Sequence, residues 1–203
     1  MIGFAYSQYL SLEAYLRTGG AAMIPLAGVS LVMWLLIIDR ILFYRRLYRR
    51  NMNAPTAWAH IRENRMPDPK SYRGAVSLLV ARFLARRSNE RRLDRFILDE
   101  TVLTLNRSLT DHLAVIGVLA AIAPLLGLLG TVMGMIDTFD ILAVFGTGNA
   151  KGMAGGISEA LVTTQTGLMV AIPGFYMKGF LDRRARNLKQ RISRVGYYLR
   201  RRL

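Results

Sequence analysis

The sequence predicts an all-α fold: a three-span integral membrane protein with long helices extending into a cytoplasmic helical bundle. Three observations carry that expectation. Three stretches of 18 to 24 residues are almost free of charge, hydrophobic types make up 52% of the 203 residues, and 26 of the 28 basic residues fall in two segments. A chain that is half apolar is not a disordered one. The absence of cysteine excludes a disulfide scaffold, a thiolate metal site and a cysteine nucleophile. Two histidines and a few scattered carboxylates leave little for hydrolytic or metal chemistry, so neither catalytic residues nor a cofactor are expected.

Each element follows in order. Residues 1–20 form an extracytoplasmic segment, of which 2–16 is aromatic-rich and mildly amphipathic and suits the outer membrane–water interface. Residues 1–16 carry no basic residue, and the apolar stretch after them ends in Asp39-Arg40 and further arginines, so it reads as a retained anchor and not a cleaved signal. The first span is 21–38, the second 113–136, and the third 157–180, with only Glu159 near its start and Lys178 near its end. About 20 apolar residues suffice to cross a hydrocarbon core.

The basic residues set the orientation. Segment 39–112 holds 16 of them and 178–203 holds 10. Lys and Arg near membrane ends mark the cytoplasmic side. The region 39–112 and the tail 181–203 are therefore expected in the cytoplasm, and the N-terminus and the loop 137–156 in the periplasm. Arg45, Arg46, Arg49 and Arg50 can meet anionic headgroups. With the charge explained by topology, and with no aromatic–basic interleaving, a nucleic-acid partner is not expected.

Within the cytoplasmic part, 51–71 reads as a broken connector, with Pro55, Pro67 and Pro69. Residues 72–88 place Val76, Leu79, Val80 and Phe83 at helical spacing. From Glu90 the apolar positions Leu93, Phe96, Ile97, Val102, Leu105, Leu109 and Leu113 continue without Pro or Gly to Gly117. One helix over 90–136, ~70 Å long, is the expectation. Long helices of this kind need partners to pack against, which predicts a homo-oligomer. The glycine-rich 146–156 superficially resembles a phosphate loop, but Lys151 is followed by Gly152, not Ser or Thr, and a flexible turn is expected.

The chemistry concentrates in the second and third spans. Gly127, Thr131 and Gly134 share a helix face, and with Gly130 allow close helix packing; Pro124 removes a backbone hydrogen bond. In the third span Glu159, Thr163 and Thr166 lie on one stripe, with Thr164 and Gly167 beside it. Two readings are open. Glu159 sits solvated at the outer interface while the threonines bond back to helix carbonyls, or these residues line a hydrated path. No Asp, Lys or His lies near the middle of any span, so a moving proton needs a carboxylate from a partner, with Glu159 the only internal candidate. His60 and His112 read as ordinary surface or interface residues.

Two motifs carry a family resemblance. The run APLLGLLGTVMGMI at 123–136 and the run ISEALVTTQTGLMVAIP at 157–173 resemble the second- and third-span motifs of the MotA/TolQ/ExbB proton-channel family, in order and with an outer loop between them. The chain is most similar to the ExbB and TolQ branches. The resemblance implies a bacterial inner-membrane, multi-pass subunit that forms a pentamer around a dimer of a single-span ExbD- or TolR-like partner carrying the proton-binding aspartate. It implies coupling of the proton-motive force, through a TonB- or TolA-like protein, to work on the outer membrane. An ExbB-like role in TonB-dependent transport comes first, a TolQ-like role in envelope integrity and division second, and a non-conducting membrane scaffold third. The family's span-two threonine falls on Thr131, its span-three threonine on Thr164 and its glutamate on Glu159. With Thr163 these form the expected proton pathway; Pro124, Gly127, Gly130, Gly134, Gly167 and Pro173 are the expected packing positions. Membrane lipids complete the expected partners.

Overall fold

The computed structural model describes residues 18–48, 52–68 and 74–203. The interfacial segment 2–16, Arg49 and Arg50 of the basic cluster, and Pro69 of the connector lie outside the described residues. Every regular element is helical: α1 (Met23–Tyr48), α2 (Ala54–Arg62), α3 (Ala75–Leu84), α4 (Arg91–Ser108), α5 (Leu113–Phe145), a 3-10 turn (Gly146–Gly148) and α6 (Ala150–Arg200). Among the described residues there is no strand. The described residues form two compact units, one of 18–36 with 115–177 and the other of the described residues of 37–114 with 178–203.

Two helical segments are long and apolar enough to cross a membrane, Met23–Tyr48 and Arg91–Gly148. Only 22% and 33% of their most apolar windows are buried by the protein itself. The core helix of a soluble protein is mostly covered by its own chain; these two leave most of their apolar surface exposed. The stretch 157–180 lies within α6 and is interrupted by Thr163, Thr164, Gln165 and Thr166.

In the first unit Leu26, Met33 and Ile116 are buried, but the contact between α5 and α6 is made mainly by small residues. Ala120, Ala123, Ala160 and Ala171 are at most 4% exposed. Large apolar residues point outward, among them Leu125, Leu128, Phe139, Leu161, Met169 and Ile172. This is how helices pack where the surroundings are as apolar as the side chains, and close backbone approach replaces the hydrophobic effect as the driving force.

The second unit has an ordinary core. In α3, Val76, Leu79, Val80 and Phe83 are fully buried, as their spacing predicts. From α6, Leu181, Ala185, Leu188, Ile192 and Leu199 recur at steps of three, four and seven along one buried stripe. The connector 51–71 contains a helix the prolines did not suggest. Pro55 sits in the first turn of α2, where a missing N–H costs nothing.

The buried face of α4 also departs from expectation. Leu93 and Phe96 are exposed, and the buried positions are Asp94, Leu98, Thr101 and Leu105. Asp94 goes inside because its carboxylate is fully partnered. Its Oδ1 accepts from the Ser88 amide at 2.9 Å and the Ser88 hydroxyl at 3.2 Å, and its Oδ2 from Arg87 Nε at 3.3 Å. Arg87 Nη1 in turn donates to the Ile61 carbonyl at 2.7 Å and so ties α2 to α4. Asp94→Ala strands the half-buried guanidinium and is expected to destabilise this unit by about 3 kcal/mol, read as a lower melting temperature of the detergent-solubilised protein. An unchanged melting temperature would mean the pair is screened like a surface ion pair.

The single helix expected over 90–136 is broken at 109–112. His112 adopts φ +64°, which ends one helix before the next begins. The carbonyls freed by the break are taken up by side chains of α1. Arg40 Nη1 donates to the Ser108 carbonyl at 3.2 Å, and the Tyr44 hydroxyl donates to the Leu109 carbonyl at 2.5 Å. Arg40 Nη2 also meets His112 Nδ1, which acts as the acceptor. Arg40 is only 6% exposed, so this guanidinium belongs to the junction and not to the solvated surface. His60 is likewise structural, its Nδ1 paired with the Arg65 carbonyl just past the end of α2.

The connection between α5 and α6 is shorter than the expected loop 137–156. α5 continues to Phe145, and α6 starts at Ala150, so most of the glycine-rich segment is helical. Asn149 caps the new helix by accepting from the Gly152 amide at 3.1 Å.

Candidate functional site

The candidate site lies on the seam between α5 and α6 in the first unit. The two helices run antiparallel with their small residues facing each other. The buried row on α5 is Gly127, Gly130, Gly134 and Thr138; that on α6 is Gly156, Ala160, Thr163 and Gly167. A Cβ on Gly167 would stand 2.7 Å from the Ala123 carbonyl oxygen, and one on Gly134 2.6 Å from that of Gly156. Both neighbours are backbone and cannot move aside. Small residues at these positions let the two backbones approach closely. The row runs through Gly130, and Thr131 stands half-buried beside it. Both helices continue through their internal prolines, Pro124 and Pro173. Gly174, next to Pro173, is buried against Met33 of α1 and Ala120 of α5.

The hydroxyls fall into two groups. Thr163 is 1% exposed and fills the notch over Gly130. Its Oγ1 donates within its own helix, with the Glu159 carbonyl at 3.1 Å and the Ala160 carbonyl at 2.9 Å. It therefore lies inside the seam and not on an open face. Thr138 does the same on α5, donating to the Gly134 carbonyl at 2.8 Å. Thr164 crosses the seam, donating to the Gly127 carbonyl at 3.2 Å, and Thr131 donates to the Leu128 carbonyl at 2.5 Å. Thr131 and Thr164 are both half-buried. Each hydroxyl has one proton and two lone pairs, so a committed proton still leaves the oxygen able to accept. Such a surface accepts from protonated water or a protonated carboxyl and holds no charge of its own.

Glu159 is half-buried, and its carboxylate lies against Gly20 in the turn that precedes α1. Gly20 has φ +59°, a conformation any other residue adopts only under strain. Sequence reasoning did not bring these two together. The signal available was the Gly19-Gly20 pair directly before an apolar run. It also passed over Thr138, Gly156 and Ala160, which continue the small-residue row at helical steps.

The MotA/TolQ/ExbB proton channel family matches residues 70–194, well over half of the chain. The chain belongs to this family. A Synechocystis protein named ExbB-like 3 is 33% identical over 169 residues, 76% of this chain and 77% of its own length. The biopolymer transport protein ExbB of Aquifex aeolicus is 37% identical over 112 residues, covering 55% of this chain and 72% of its own. That of Neisseria meningitidis serogroup A is 26% identical over 190 residues, covering 84% and 85%. This member of the family is thus ExbB-like and a membrane protein, and the α5–α6 seam lies wholly inside the matched region.

Proposed function

We propose that this chain is the ExbB-like subunit of an inner-membrane proton-driven motor. It crosses the membrane three times, at 21–38, 113–136 and 157–180, with its N-terminus in the periplasm and its C-terminus in the cytoplasm. Five copies surround a dimer of a single-span ExbD-like partner. Proton flow through this assembly, acting on a TonB-like protein, drives transport across the outer membrane. The subunit is a conductor, not an enzyme.

One observation carries this reading: the seam offers hydroxyls at Thr131 and Thr164, and no titratable group within the apolar middle of the spans. A charge cannot rest among side chains such as Leu168–Ile172 without a site to hold it. A carboxylate on a partner helix supplies that site, and the threonine lone pairs order the water beside it.

The test is proton flux in liposomes under an imposed gradient. Liposomes with this chain alone are expected to leak little. Adding the single-span partner is expected to raise the flux, and changing the partner's membrane aspartate to Asn to abolish the increase. Strong flux without a partner, lost in Glu159→Gln, would make Glu159 the carrier. No flux under any condition would leave a membrane scaffold. With the partner present, Glu159→Gln is expected to reduce flux more than Glu159→Asp, because the carboxylate faces the Gly20 turn and a neutral amide does not reproduce its charge there. Wild-type flux in both variants would place Glu159 at a solvated interface.

A further inference from the structure

A groove in the second unit has the shape and chemistry of a lipid-phosphate site. It is a cavity of about 370 Å³ lined by Ile41, Tyr44, Arg45, Tyr48, Leu181 and Arg184, with Phe180 closing one side. Its walls are mainly aliphatic and aromatic, and its charged groups are two arginines. Arg184 is held in place: its guanidinium carbon lies 5.1 Å from the Tyr48 ring centroid and 5.1 Å from that of Phe180. The Tyr48 hydroxyl donates to the Arg184 carbonyl at 3.3 Å, which fixes the ring against the backbone of α6. Among the described residues neither Arg45 nor Arg184 has a carboxylate within ion-pair distance. The nearest candidate in sequence, Asp182, is taken by Lys178 at 2.7 Å.

The position along the chain points to the ligand. Ile41–Tyr48 begins about one turn past the apolar stretch 21–38, and Phe180–Arg184 follows directly on 157–180. Under the topology proposed above, on which this inference rests, both walls lie at headgroup depth on the cytoplasmic side. That is where aromatic side chains gather and where anionic lipids meet basic ones. The volume accommodates a glycerophosphate head and the first carbons of its chains.

We propose that this groove binds the phosphate of an anionic membrane phospholipid. Arg45 and Arg184 hold the phosphodiester, the guanidinium of Arg184 pre-oriented by the two rings, while Ile41 and Leu181 meet the upper acyl carbons. A pre-oriented guanidinium loses little freedom when a phosphate arrives, and its planar donors match two phosphate oxygens at once.

The experiment is lipid retention by the full-length protein, measured by native mass spectrometry after exchange into detergent with phosphatidylglycerol or phosphatidylcholine. Phosphatidylglycerol is expected to be retained well above phosphatidylcholine. The pair Arg45→Gln and Arg184→Gln should lower its retention about fivefold for each arginine removed. The pair Arg91→Gln and Arg95→Gln removes the same charge elsewhere and should leave retention unchanged. Equal loss in that control, equal retention of the two lipids, or displacement by millimolar inorganic phosphate would overturn the proposal. So would a photo-crosslinker at Ile41 that captures a second copy of this chain in place of lipid. Retention does not depend on proton flow: Thr131→Val should keep the lipid whatever it does to flux, so failure here and failure of the motor reading are distinguishable.

Discussion

Thr131→Val is expected to cut partner-dependent proton flux at least about fivefold while leaving assembly intact. The substitution keeps the volume and removes the hydroxyl. The bond lost is a local one, to the Leu128 carbonyl of the same helix, so the seam stays closed. What disappears is an acceptor for the water ordered beside the path, and leaving one polar partner unsatisfied in apolar surroundings costs about 1–3 kcal/mol. That range corresponds to roughly fivefold to 150-fold in rate. Thr164→Val is expected to do the same and also to loosen the seam, because its hydroxyl bridges to Gly127 of α5. Thr164→Ser restores the hydroxyl and should recover most of the flux. Full flux in both valine variants would reduce these residues to packing.

The second large effect is structural. Gly156→Ala is expected to destabilise the α5–α6 pair by about 1–3 kcal/mol and to deplete the oligomer. The added carbon would meet the Thr138 hydroxyl and stand 2.7 Å from the Gly134 carbonyl oxygen. Its neighbour makes the control. Nothing lies within 4 Å of a Cβ built on Gly155. Alanine is the better helix former by about 1 kcal/mol, so Gly155→Ala should be neutral or stabilising. Thermal melting and native mass spectrometry of the two variants read both outcomes. Equal behaviour of adjacent glycines would show that close approach at the seam does not hold the helices together.

How much of this was legible in the sequence depended on whether the signal was local. The α3 stripe of Val76, Leu79, Val80 and Phe83 follows from periodicity alone, and it is buried as read. The small residues of α5 likewise announced a close contact, though the row passes through Gly130 and not Thr131. The break at 109–112 was hidden because its partners sit far away: the groups that donate to the freed carbonyls are Arg40 and Tyr44, 68 and 65 residues earlier. The face of α4 was misread for a related reason. A carboxylate is normally exposed, and Asp94 is inside only because Arg87 and Ser88 meet it there. The helical start at Ala150 was masked by glycines whose low propensity is outweighed by the Asn149 cap and the packing of Gly156 against α5.

The break between α4 and α5 has a consequence for synthesis on the ribosome. Domains assemble from the N-terminus as the chain emerges. Arg40 and Tyr44 are made well before residues 108–112, so the groups that receive the freed carbonyls exist before the carbonyls do. The first helix is in this sense a template for a turn that has not yet been translated. A lesion at Arg40 or Tyr44 would leave α1 itself intact and register later, as an error in where α4 stops and α5 starts.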